Sequence, residues 1–419
     1  MKHEEFFDMY FKYVEDNTEA PFVYHRWSML VVLAAHMGAN IKIPMGHFTL
    51  TPNFYVQLVG DSGIRKSSAI SIPVKLAKEL GVVNIAPSQI SREALISLLG
   101  ELSGAAVGSE GLGDLLQGIP MEVFTDMLIP ADEFNAFMGD NRDSYMLLLS
   151  QLWDGVDEYD KRLTDSVTGV EHPYVNLISA NTFVGFAEAF SGKAVGVGML
   201  TRMLVVPWHE RRGFVPFPSK PDGTTRSRIL EVMESIHKQS GSIKYTSDSQ
   251  ALLGELYQGW KMAVPVGMEQ YSQRRFTHLL KLCAIFAAIE ETLEVTKDMV
   301  YNANTMLASN EQHMSNTFAF VFAPRDVGVA MSFAYDYLKE HRAGATLGEL
   351  LQHSTNVCSA TSLTMAINDL TKQKKIKVVQ DNIYIFLQEQ LGSDMLKYIN
   401  LDFLTTEERK LVMIQRGAL

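Results

Sequence analysis

Apolar positions along the chain follow two rhythms. Phe6, Phe7, Tyr10, Phe11 and Val14 recur at helical spacing and Trp27 to Met37 forms a second apolar helix, so residues 3 to about 38 read as helical with a break before Phe22 at Pro21. Three short, mainly apolar runs follow, and each ends in polar residues: 54–59 before a glycine-rich stretch, 123–131 before Asp132 and Glu133, and 174–180 before Asn181 and Thr182. Runs of this kind are strands buried on both faces of a parallel sheet. The carboxyl ends of such strands share one edge, which would gather the three polar sets in one place. Residues 145–153 give an apolar helical stripe read as core, whereas 154–162 is polar enough to reach a partner subunit. Between Gly100 and Gly118 glycines are frequent and large apolar residues few, which predicts a long loop.

The rhythm changes after residue 212. Gly213, Pro216, Pro218, Pro221 and Gly223 mark a break, and 226–238, 247–262, 271–291 and 296–322 then read as long helices of a helical lid domain. From about 327 the expected order is helix 327–339, helix 346–352, helix 359–371 and a hairpin, 376–379 with 383–386, the order of a winged helix. Four parts result: N-terminal helices 1–38, a core 39–212, a lid 213–326 and a winged-helix-like domain 327–419. The fold class is α/β, a nucleotide-binding core around a parallel sheet with helical additions.

The stretch Gly60-Asp61-Ser62-Gly63-Ile64-Arg65-Lys66-Ser67-Ser68 lies between an expected strand and an expected helix, 66–80. That is the setting of a phosphate-binding loop, in which backbone amides and a helix N-terminus face phosphate oxygens. Gly60, Lys66 and Ser67 meet the pattern Gly-x4-Gly-Lys-Ser/Thr, while Arg65 stands where the second glycine belongs. A side chain is tolerated there if its φ is negative, and an arginine could contact phosphate or close the loop. Lys66 would reach the β- and γ-phosphates of ATP and Ser67 would hold Mg²⁺. Asp132 would hold the metal through water, Glu133 would polarise the attacking water and the Asn181 amide would help position it.

Composition narrows the class. At 419 residues the chain exceeds a single core, and 47% apolar with 20% charged residues is ordinary for a globular protein. No long uninterrupted apolar window appears and Met1-Lys-His-Glu-Glu5 is too polar for a signal peptide, so no membrane partner and a cytoplasmic location are expected. Cys283 and Cys358 sit in apolar or helical surroundings, against a disulfide scaffold or zinc site. His172, His209 and His278 show no paired metal spacing. A net charge of −11 argues against a protein that coats nucleic acid. It leaves room for contact at a few basic clusters: Arg211-Arg212, Arg274-Arg275, and Lys372, Lys374, Lys375 and Lys377 beside the expected wing.

Adjacent Asp132 and Glu133 resemble the AAA+ branch of P-loop ATPases; in motors resembling RecA the catalytic glutamate lies on another strand. The resemblance implies a Walker A motif in 60–67, a Walker B motif at 132–133 and Asn181 as first sensor. It also implies Arg202 as an arginine finger acting on the neighbouring subunit, and Arg274 or Arg275 as a second, nucleotide-binding sensor from the lid. Residues 21–212 are further similar to a family of phage- and prophage-encoded P-loop ATPases of the replicative helicase or primase-helicase kind. Phe22 to Trp27 before an apolar helix, Leu50-Thr-Pro-Asn-Phe-Tyr55, Ser62-Gly-Ile-Arg-Lys-Ser67 and Gly196 to Arg202 carry that similarity. It implies a hexameric ring moving on DNA, single-stranded by preference, alongside other replication proteins. A helicase loader or origin remodeller, and a protein-remodelling or packaging ATPase, stay open as alternatives.

Overall fold

Strands Tyr55–Val59 and Pro173–Asn181 are buried at every position, so both faces of the sheet holding them must be covered. In the computed structural model they form the middle of a four-stranded, all-parallel sheet. The order is Thr125–Ala131 (the carboxylate strand), Pro173–Asn181 (the amide strand), Tyr55–Val59 (the loop strand) and Met203–Pro207 (the arginine strand). The structure describes residues 1–419 except 108–124, 156–157, 164–165, 191–193, 263–267, 323–324, 342–343, 356, 373–375, 380–381, 386–399, 405–408 and 410–419. Ile85 adds a parallel bridge to Leu128 on the outer side of the carboxylate strand. Register aligns the strand ends: Val59 lies opposite both Asn181 and Pro207, and Ala131 lies opposite Ser179.

Helix Phe22–Met37 is buried on every side from Val23 to Met37, which explains why its apolar residues form no single stripe. It packs between the sheet and helices Lys66–Leu80, Gly223–His237 and Glu269–Ile289. The Tyr24 hydroxyl donates to the Val59 carbonyl at 2.7 Å and the Tyr174 hydroxyl to the Ala34 carbonyl at 2.7 Å, tying this helix to the sheet. One apolar core therefore unites the N-terminal helices, the sheet and the long helices expected as a lid. The boundaries expected at 38 and 212 separate no cores.

A second core runs from Val327 to Ile383. It is built from helix Arg325–Glu340, strand Ala345–Thr346, helices Leu347–Ser354 and Ala360–Lys372, and strands Ile376–Val379 and Asn382–Ile385. Both other strands pair antiparallel with Asn382–Ile385. Thr346 and Glu349 form a reciprocal capping box at the start of Leu347–Ser354. The chain then returns to the first core. Asn400 donates to Thr305 Oγ1 and Asn302 Oδ1, both at 2.8 Å, and Phe403 packs against His3 and Phe286. Residues 400–404 thus belong with the larger body, not with the expected 327–419 unit.

Two further differences from the sequence expectations have local causes. Residues 100–107, expected as loop, continue helix Arg92–Val107, because Leu95, Ile96 and Leu99 drive one face into the core and isolated glycines do not stop it; 108–118 lies outside the described residues. Beyond Asp154 the polar stretch becomes an antiparallel hairpin, Glu158–Leu163 with Ser166–Glu171. Among the described residues no helix is long and apolar enough to cross a membrane.

Candidate active site

The stretch Gly60–Ser68 leaves the loop strand and enters helix Lys66–Leu80. Gly60 can only be glycine: a Cβ there would stand 2.4 Å from the Tyr24 hydroxyl and 2.6 Å from the Trp208 carbonyl. Its amide donates to the Asn181 carbonyl at 3.2 Å, joining the loop to the amide strand. Arg65 has φ +68° and ψ 31°, a left-handed conformation rather than the negative φ expected. The chain must reverse there to enter the helix, so Arg65 accepts a conformation costing roughly 1–2 kcal/mol for a residue with a Cβ. The first amides of a helix lack intrahelical acceptors, which leaves those of Lys66, Ser67 and Ser68 without an acceptor within the helix. The Lys66 ammonium folds back to the carbonyls of Gly60 at 2.6 Å and Asp61 at 2.8 Å, where desolvation lowers its pKa.

Asp132 and Glu133 follow the carboxylate strand directly. Counting on from the Ala131–Ser179 pair puts Glu133 level with Asn181. Asp132 is exposed at this end of the strand, and desolvation by the surrounding protein raises its pKa. Glu133 is extended and stands at the N-cap position of the short helix Phe134–Met138 without a side-chain cap bond. Asn181 is oriented from both ends: its Nδ2 donates to Asn135 Oδ1 at 3.1 Å, and its Oδ1 accepts from the Thr182 amide at 3.0 Å. Asn135 Nδ2 in turn donates to the Gly185 carbonyl at 3.0 Å. The one sign of Asn135 along the chain is its place two residues beyond Glu133. Gly60–Ser68, Asp132, Glu133 and Asn181 therefore meet at one edge of the sheet.

Two more residues stand at this edge: Glu19, which no sequence pattern marks, and Arg211, expected only as part of a basic cluster. Glu19, between the N-terminal helices, accepts on Oε2 from Arg65 Nε and Arg211 Nη1, both at 3.1 Å, and on Oε1 from the Val215 amide at 3.2 Å. These donors, the Val215 amide and then Arg65, hold its carboxyl below the usual range. Arg211 Nη2 lies 3.2 Å from where a Cβ on Gly63 would stand, so its guanidinium hangs over the loop. Arg212 turns away, onto the Phe22 ring and the carbonyls of Glu15 and Thr18.

Arg202, Arg274 and Arg275 are not brought to the loop. Arg202 precedes Met203, which pairs with Tyr55 at the start of the loop strand. A five-residue strand, about 16 Å at ~3.3 Å per residue, separates that level from Gly60. Asp154 binds Arg202 Nε at 3.1 Å and Arg274 Nη1 at 2.9 Å. Arg274 lies over the Trp153 ring, and Arg275 is buried against Trp260 and paired with Glu311 at 2.7 Å. Lys281 is buried over Trp153 and donates to Asn53; the burial drives its pKa well down. Neither Arg274 nor Arg275 can serve as a nucleotide sensor in its own chain from this place. Nearby His278, bonded to the Thr201 carbonyl and stacked on Tyr271, is held neutral by burial, with its pKa lowered to about 3. His209 stacks on Phe183, and both cysteines are free.

Lys372 closes helix Ala360–Lys372 and Lys377 lies in strand Ile376–Val379, whereas Lys374 and Lys375 fall outside the described residues. No protein-family model matches the chain, and no curated protein matches its sequence.

Proposed function

We propose that the chain is a Mg²⁺-dependent ATPase of the P-loop class, AAA+-like in plan, working as an oligomeric motor on single-stranded DNA in the manner of a phage-type replicative helicase. One observation carries the ATPase part: a Gly-rich loop ending in Lys66 and Ser67, the Asp132-Glu133 pair and the oriented amide of Asn181 meet at one sheet edge. Strand order supports the same class, since the amide strand lies between the loop strand and the carboxylate strand. The ring part rests on Arg202, whose place at the far edge leaves only a neighbour's nucleotide within reach. The helix–strand–helix–helix–hairpin module is read as a winged helix that brings Ala360–Lys372 to DNA.

The oxygen donors of Ser67 and Asp132 suit Mg²⁺, and the Asp132 carboxyl, raised by desolvation, gains from an adjacent cation. When bound, the ion neutralises phosphate charge. The loop amides and Lys66 cradle the phosphates, exchanging the lysine's bonds to Gly60 and Asp61 for phosphate oxygens. Asn181 holds the attacking water and Glu133 takes its proton as the water oxygen bonds to the γ-phosphorus and the bond to the β-phosphate oxygen breaks, giving ADP and phosphate. Arg202 of the next copy meets the charge that develops.

The test is ATP turnover with single-stranded DNA, duplex, RNA or no nucleic acid. Lys66→Ala should abolish nucleotide binding, whereas Glu133→Gln should keep it and lose roughly 10²–10⁴-fold in turnover. A Glu133→Gln variant that hydrolyses normally removes this residue's role. Stimulation by single-stranded DNA supports the motor; turnover indifferent to DNA points to a protein remodeller, and weak turnover with binding of a separate helicase to a loader.

A further inference from the structure

We infer that Arg211 and Arg65 form a same-chain clamp on the terminal phosphate of a nucleoside triphosphate, and that Glu19 is the positioning residue that holds the clamp when no phosphate is present. The inference rests on the ATPase reading above, gives a partner to the motif's Arg65 and adds Glu19 and Arg211, which no motif marks. Both guanidiniums share a single carboxylate oxygen, each at 3.1 Å, so two positive charges meet one negative charge beside the loop. Arg211 already overhangs the loop at Gly63, where any Cβ would press on its Nη2. Arg65 occupies a left-handed position that glycine would fill without strain, and an arginine placed there despite that strain points to a use for its side chain. Both arginine side chains are about half exposed, 50% and 48%, while that of Glu19 is 6% exposed. The donors can therefore swing and the acceptor cannot.

A phosphate bearing more than one negative charge offers each guanidinium a bidentate partner and competes with Glu19 for it. ADP, lacking the terminal phosphate, competes less. Glu19 also accepts the Val215 amide at the start of the proline-rich stretch 215–221, so exchange at Oε2 leaves that anchor in place.

The two sides of the clamp should respond with opposite signs, which a purely structural ion cluster would not produce. In the full chain with Mg²⁺, binding of fluorescent ATP and ADP analogues is measured for wild type, Arg211→Ala, Arg211→Lys and Glu19→Gln, with thermal melting as a check on folding. Arg211→Ala should weaken ATP binding about tenfold or more and ADP binding less, the scale of a lost charge-assisted hydrogen bond. Arg211→Lys should recover part of the loss. Glu19→Gln keeps an acceptor for Val215 but removes the competing charge, and should tighten ATP binding severalfold. Arg211→Ala with unchanged preference for ATP over ADP overturns the clamp, as does weakening by both Arg211→Ala and Glu19→Gln. Wild-type protein that binds neither analogue overturns the ATPase reading itself, a result distinct from either.

Discussion

At the loop edge of the sheet, Arg65 and Arg211 share Glu19; at the opposite edge, Arg202 and Arg274 share Asp154. The plan is the same and the surroundings are inverted. Near the loop the carboxylate is buried and the guanidiniums are half in water. At the far edge Asp154 is 36% exposed while Arg202 is 15% exposed, Arg274 lies over Trp153, and the buried Arg275–Glu311 pair and Lys281 stand behind them. A half-hydrated guanidinium exchanges partners at little cost, whereas one seated on aromatic rings loses contacts whenever it moves. The loop edge leaves its guanidiniums free to change partners, and the far edge holds its arginines in place.

The largest effect tests that second half. If the far edge presents Arg202 to a neighbour's nucleotide, Arg202→Ala should lower turnover on the order of 10³-fold while leaving ATP binding to the loop intact. Mixing Arg202→Ala with Lys66→Ala subunits should restore activity, since some interfaces then pair an intact loop with an intact arginine. A mixture shown by fluorescence transfer to exchange subunits, yet still inactive, would mean that Arg202 only holds Asp154 and that the two edges differ in packing alone.

A smaller effect, on stability, distinguishes fixed from exchangeable pairs. Glu311 accepts from Arg275 Nε at 2.7 Å and the Tyr271 hydroxyl at 2.9 Å, with both partners of the ion pair almost wholly buried. Glu311→Ala leaves Arg275 charged and enclosed, and should lower unfolding free energy by about 3 kcal/mol or more, read from the urea midpoint. Glu19→Gln at the loop edge should move that midpoint much less, because its arginines keep water as a partner. Equal shifts would erase the contrast.

Much of the loop edge was legible in the sequence because its parts are local. Buried runs ending in polar residues mark parallel strands, and helix Lys66–Leu80 ends at Leu80 because Gly81, at φ +66°, supplies a left-handed cap. What was hidden is set by distance along the chain. Glu19 and Arg211 are 192 residues apart, and neither stands in a pattern that names the other. Periodicity identified helix Glu269–Ile289 but could not tell which end of the sheet Arg274 and Arg275 would meet; the contacts with Asp154 and Glu311 decide that. The φ of Arg65 was misjudged because composition shows that glycine is replaced without showing that the backbone still turns as glycine would. Glycine content likewise outweighed the Leu95–Leu99 spacing that makes 92–107 helical, and nothing before Asn400 announces that Phe403 returns to meet Phe286 edge to face.

The smallest expected effect on nucleotide binding comes from the region that belongs to neither edge. The second core, Val327 to Ile383, shares no apolar cluster with the first, whereas Asn400 and Phe403 do belong to the first. Deleting all of 327–419 would strip those contacts from His3, Arg26 and Phe286 and confuse a lost module with a damaged body. Deleting 327–385 while keeping 386–404 as a link preserves them. Both edges should then stay intact, with ATP affinity within about twofold of wild type, the scatter expected of distant and independent sites. Affinity for single-stranded DNA should fall by more than that, measured by fluorescence anisotropy at a stated salt concentration, because DNA contacts weaken steeply with salt. Unchanged DNA affinity would remove the winged-helix contact and leave the module to protein partners. A tenfold loss of ATP affinity would show that the second core supports the loop edge, and the contrast between the two edges would then have to include it.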